Sequence, residues 1–160
     1  MNTEQLRTLT FDQIFDYYKQ NNPTIKQWDE ILIQRTGVRS LIDLHETAKK
    51  QISYYDKSSD VNSFIYKDNK YWIDKDTRMS LYRLIESGAT EITLQLDNIY
   101  LTISSEKLKD FLDKLEVYAG KCFTNTAKHL QSLQNSNCLE DLIDLKYTEG
   151  YPDKIELIND

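Results

Sequence analysis

The spacing of apolar residues changes twice along this chain. It is helical, at intervals of three and four, up to about residue 57, alternating from residue 64, and helical again from residue 105. The first third predicts three short helices. In LTFDQIFDYY, Thr10 stands as N-cap with Gln13 three residues on, a pair that satisfies two free amide donors. Leu9 and Ile14 close a hydrophobic staple there, and Phe11, Ile14, Phe15 and Tyr18 form one apolar face. Asn21, Asn22 and Pro23 stop that helix. Thr24 with Gln27 repeats the cap, Ile25, Trp28, Ile31 and Leu32 supply the next stripe, and Gly37 suits the left-handed residue that ends it. Ser40 opens the third helix, with Leu41, Leu44, Ala48, Ile52 and Tyr55 on one side.

A polar stretch, DKSSD from Asp56 to Asp60, marks the expected boundary between a helical N-terminal segment, residues 1–57, and a mixed domain, residues 61–152. In that domain Phe64 to Ile73 reads as a hairpin turning at Asp68 and Asn69, which sets Lys67 opposite Lys70, Tyr66 opposite Tyr71 and Phe64 opposite Ile73. Asp74 or Asp76 then caps a helix that runs to about Ser87, with Gly88 as its stop. In EITLQLDNIYLTIS a second turn at Asp97 and Asn98 pairs Leu96 with Ile99, Leu94 with Leu101 and Ile92 with Ile103 on one apolar face. Thr93, Gln95, Tyr100 and Thr102 share the other face.

From Ser105 to about Gln134 the apolar residues return to helical spacing, a rod of roughly 45 Å at ~1.5 Å per residue. That length exceeds what a small hairpin pair can cover, so the excess packs on the N-terminal helices, on a neighbouring chain, or on nothing. Gly120 lies inside it, where glycine costs ~1 kcal/mol against alanine, and points to close helix packing or a kink. Asn137 with Glu140 caps one more short helix. The acidic tail, residues 153–160, carries Ile155, Leu157 and Ile158, an apolar run that would serve as an added strand at a sheet edge, in this chain or another. The expected fold is α+β: an N-terminal helical segment, then two β-hairpins forming a small antiparallel sheet packed on a long C-terminal helix.

Composition narrows the function. The net charge is −6, and from Leu139 onward seven acids stand against two lysines, so the rest is close to neutral. No basic stripe appears, and binding to nucleic acid through its phosphates is not expected. There is neither an apolar run long enough to span a membrane nor a leader pattern at the N-terminus, so folding in the cytoplasm is the default expectation. Alanine is scarce while Asn, Ile, Lys, Tyr and Asp are plentiful, the bias of an AT-rich genome.

Nothing in the chain carries an enzyme motif. DKDTRMS from Asp74 starts like a calcium loop, but the sixth position is Met79 and the twelfth Ile85, where glycine and glutamate are needed. Cys122 and Cys138 lack metal-knuckle spacing, and Cys122 falls on the apolar stripe as a small buried hydrophobe. His45 has no second ligand one turn on, and His129 sits seven residues from Cys122, about 10 Å by rise along one helix. The glycines are isolated, so no phosphate cradle forms. No catalytic residue, cofactor or metal site is expected. Eleven tyrosines and two tryptophans instead suggest protein contacts. The expected interface residues are Tyr66, Lys67, Lys70, Tyr71, Tyr100, Ile155, Leu157 and Ile158.

One resemblance gives these parts a setting. The order LDNIYLTIS, EKLKDFLDKLEVYAGKCFTNTAKHLQSL, LEDLIDL, with YWIDKDTRMSL upstream, resembles an uncharacterised bacteriophage domain found in or beside tail-fibre proteins, over residues 63–152. The resemblance implies a non-enzymatic virion structural protein, or a helper in fibre assembly, made in the host cytoplasm. Its implied partners are other phage structural proteins or further copies of itself. It carries no catalytic residues. Residues 1–60 fall outside it and would serve as anchor or adaptor. A phage-encoded regulator that binds a host protein is the remaining alternative, hinted at by the acidic charge.

Overall fold

A computed structural model describes residues 41–136 and 145–159, with Gln13 and Gln20 as isolated helical positions. The two helices expected before residue 40 and the short helix expected from Asn137 lie outside the described residues. In chain order the elements are α1 (Leu41–Lys57), β1 (Phe64–Tyr66), β2 (Asn69–Tyr71), α2 (Lys75–Glu86), β3 (Glu91–Leu96), β4 (Ile99–Ser104) and α3 (Ser105–Asn135). The fold is α+β, with two small antiparallel sheets and a long C-terminal helix.

The chain divides into two compact units, Met1–Ser53 with Lys128–Tyr147 and Tyr54–Ala127 with Thr148–Asp160. In the first, Ala48 and Ile52 on α1 and Leu133 near the end of α3 are buried. The second holds a continuous apolar core. Its floor is the face of α3 bearing Leu108, Phe111, Leu112, Leu115, Tyr118 and Cys122. Onto it fold Phe64 and Tyr66 of β1, Leu81 of α2, Ile92, Leu94 and Leu96 of β3, and Leu101 and Ile103 of β4. Burying each leucine or isoleucine here contributes about 1.5–3 kcal/mol.

The second hairpin has the register its alternation predicts: Leu96 opposite Ile99, Leu94 opposite Leu101, Ile92 opposite Ile103. Its polar side is closed by Thr93 and Thr102, whose hydroxyls meet at 3.0 Å. The two hairpins do not join into one sheet; each is a separate two-stranded sheet.

The first hairpin turns one residue earlier than Asp68–Asn69. Lys67 and Asp68 take the positive φ angles, +47° and +61°, and the pairs are Phe64 with Tyr71, Ile65 with Lys70 and Tyr66 with Asn69. Lys67 and Lys70 therefore do not face each other. The Asn69 side chain donates to the Lys67 carbonyl at 2.8 Å, and Lys70 reaches back to Asp60 at 3.0 Å. Ending the pairing at Tyr71 frees Ile73, whose carbonyl accepts a bond from the buried Arg78 at 2.6 Å. Those tertiary partners outweigh the local preference of the Asp-Asn pair for the turn.

Asp74 is the N-cap of α2: its carboxylate accepts the Thr77 amide at 2.9 Å, which holds its pKa below the usual carboxylate value. Gly88, at φ +93°, follows the helix in the left-handed conformation that glycine adopts without strain. Among the described residues nothing packs closely on Gly120. It is exposed, and a Cβ placed on it would meet nothing within 4 Å.

Residues 148–159 run back over the second unit as a strap. Ile65 donates to the Ile155 carbonyl at 2.9 Å and accepts from the Leu157 amide at 2.8 Å, a parallel bridge on the outer edge of β1. The apolar run near the end of the chain thus adds its edge pairing within this chain, with Leu157 inside the core.

Candidate interaction surface

The strap is pinned by polar bonds as well as by Leu157. Lys154 Nζ donates to the carbonyls of Asp60 at 2.7 Å and Val61 at 2.9 Å, and to the Tyr118 hydroxyl at 2.7 Å. The same Tyr118 hydroxyl donates to the Val61 carbonyl at 2.6 Å. Burial lowers the Lys154 pKa, and three oxygen acceptors keep its ammonium solvated by protein. Farther along, Asn125 holds the Glu149 carbonyl at 2.8 Å, and the Thr126 hydroxyl joins Asp56 at 2.6 Å and the Tyr151 hydroxyl at 2.8 Å.

Between the strap and α3 lies a groove of about 390 Å³. Val117, Tyr118, Pro152 and Ile155 make its apolar walls, and Asp110, Asp113, Lys114, Lys121 and Asp153 its charged rim. Most of that charge is already matched. Lys114 pairs with Asp110 at 2.6 Å, and Lys109 with Asp113 at 2.8 Å. Asp113 also accepts the Tyr82 hydroxyl at 2.8 Å, and these bonds, that of Lys109 first, hold its pKa low. Lys121 and Asp153 form no ion pair among the described residues.

Beside the groove, α3 turns a bare face outward. Val117 is 60% and Phe123 75% exposed, with Gly120, Thr124 and Ala127 also on the outside. Sequence periodicity placed Phe123 and Leu130 on one stripe with the buried residues of this helix, yet both turn outward, while Val117 fell off that stripe and drew no notice. The groove was equally illegible, because its walls come from residues more than thirty positions apart in the chain.

The residues expected at an interface fall into different environments. Tyr66 is 4% and Leu157 3% exposed, so both belong to the core. Burial there follows from the β1 register and from the strap's bridge to Ile65. Tyr71 and Ile155 are half-buried, the former against Phe64 and Tyr66 and the latter in the groove wall. Lys67, Lys70, Tyr100 and Ile158 are exposed, Tyr100 by 71% and Ile158 by 66%. They come from the first turn, β2, β4 and the strap rather than from one element.

Cys122 is buried, and burial raises its thiol pKa, which keeps it protonated and a poor nucleophile. Arg78 is buried too, but its guanidinium is matched by Glu116 at 2.6 Å and the Ile73 carbonyl, and lies over the Trp72 ring. Among the described residues no three His, Cys, Asp or Glu side chains gather as metal ligands, and no helix is long and apolar enough to cross a membrane. Compared with family models, curated proteins and solved structures, the chain matches none.

Proposed function

We propose that this protein acts by binding other proteins, as a non-enzymatic structural component of a bacteriophage particle associated with its tail, fibre or connector. The observation that carries the binding role is the set of large apolar side chains left outside: Val117, Phe123, Tyr100 and Ile158. Aromatic and apolar anchors of this kind are what protein interfaces bury. The phage setting is supported by the resemblance of residues 63–152 to a domain found in or beside tail-fibre proteins. In this reading the chain is made in the host cytoplasm and ends in the virion.

Mass spectrometry of purified particles tests the proposal. Detection at a stoichiometry that survives stringent washing is the expected result. Clear absence from mature particles sinks the structural role. Recovery with fibre protein in infected lysates, combined with that absence, would instead make the chain an assembly chaperone.

A further inference from the structure

The outward face of α3 repeats every seven residues, and the repeat has three rows. Val117 and Gly120 are followed by Thr124 and Ala127 along the middle. Lys121 and Lys128 run along one flank, and Phe123 and Leu130 along the other. Every one of these positions is exposed. On an α-helix, spacings of three and four keep such residues in line, and each repeat advances about 10 Å.

Gly120 is the unexplained member. It weakens a helix relative to alanine, yet among the described residues no atom approaches the place its Cβ would fill. A neighbour from outside that crosses α3 closely would give the missing side chain a purpose, since small residues let two helix backbones approach. The charge on this face is also one-sided. From Val117 to Asn135 there is no aspartate or glutamate, while Lys121 and Lys128 point outward and pair with no carboxylate among the described residues.

We infer that this face of α3 docks an acidic amphipathic helix of another protein, with its carboxylates along the lysine flank and its apolar residues against Phe123 and Val117. A second copy of this chain offering the same face would bring only lysine to lysine, so the charge favours a different partner. Val117 and Lys121 also border the groove, which leaves room there for an apolar side chain of the partner. Asp153, on the groove's other wall, keeps the partner's acids on the α3 side. The inference rests on the reading that the protein works by binding proteins, and is independent of the phage setting.

The test uses the full chain, labelled for amide NMR, and two synthetic three-heptad helices with leucine seams. One carries glutamate on both flanks and the other lysine. The glutamate helix should shift amides along residues 117–130 and bind roughly tenfold or more tighter than the lysine helix, with the difference shrinking as salt rises. Gly120→Leu should abolish binding with the circular dichroism spectrum unchanged, and Lys121→Glu with Lys128→Glu should reverse the preference. Equal affinity for both helices, shifts confined to other elements, or binding indifferent to Gly120→Leu would overturn the inference. So would a dimer of the chain alone that Phe123→Asp dissolves, because the face would then belong to a second copy. Particle composition plays no part in these readouts, so failure of the phage assignment would be seen separately.

Discussion

Gly120 is an exposed position of a long helix, and no described residue comes within 4 Å of where its Cβ would be. Gly120→Ala should therefore stabilise the isolated chain by about 0.5–1 kcal/mol, read as a rise in thermal midpoint of roughly 1–4 °C. A fall in midpoint would mean that the helix needs glycine for its own path. Other single residues were harder to foresee. Arg78, which the sequence did not single out, is buried beneath Trp72 and paired with Glu116. Its partner lies 38 positions away, and no local pattern records such a pairing. The cap of α2, by contrast, was legible as Asp74 or Asp76 because capping acts over three residues, and the structure assigns it to Asp74.

Among the elements, three were readable from local signals. Turn and alternation agreed in the second hairpin, a cap and the Gly88 stop marked α2, and apolar spacing marked α3. The first hairpin shows what happens when tertiary bonds oppose such signals. The Asp-Asn pair favoured one turn, while the bonds from Arg78 to Ile73 and from Lys70 to Asp60 favoured a turn one residue earlier. The strap was half legible, as an apolar run with no evident home. Its home is the β1 edge, and Leu157 is its anchor. Leu157→Ala should cost about 2–5 kcal/mol, seen as a lower urea midpoint. Hydrogen exchange gives a sharper readout: the Ile65 amide, bonded to the Ile155 carbonyl, should lose protection before the amides of β3 and β4 do. Equal protection in variant and parent would show that the strap does not depend on Leu157.

At the scale of the whole molecule, stability should fall in alkali. Burial, then the bond to Asp113, raises the Tyr82 pKa, while burial, then Cys122, raises that of Tyr118. A raised folded pKa contributes stability that is complete below the unfolded value near 10.0 and is lost as pH climbs through the folded one. Lys154 works in the opposite sense, since burial lowers its pKa and that penalty disappears once it deprotonates. Two tyrosines shifted far outweigh one lysine, so the urea midpoint should hold at about pH 8 and drop by about pH 11. Tyr82→Phe with Tyr118→Phe should flatten that drop; a flat profile in the parent protein would refute the balance.

The second unit is assembled from two stretches of chain with residues 128–147 between them, and that arrangement sets an order on the ribosome. Both hairpins and most of α3 emerge before the residues that cover the β1 edge have been synthesised. Until residues 155–157 arrive, the outward N–H and C=O of Ile65 lack the partners they hold in the finished fold. A nascent chain stalled before Thr148 therefore displays an open strand edge next to Phe64 and Tyr66, a target for chaperones and for other stalled chains alike.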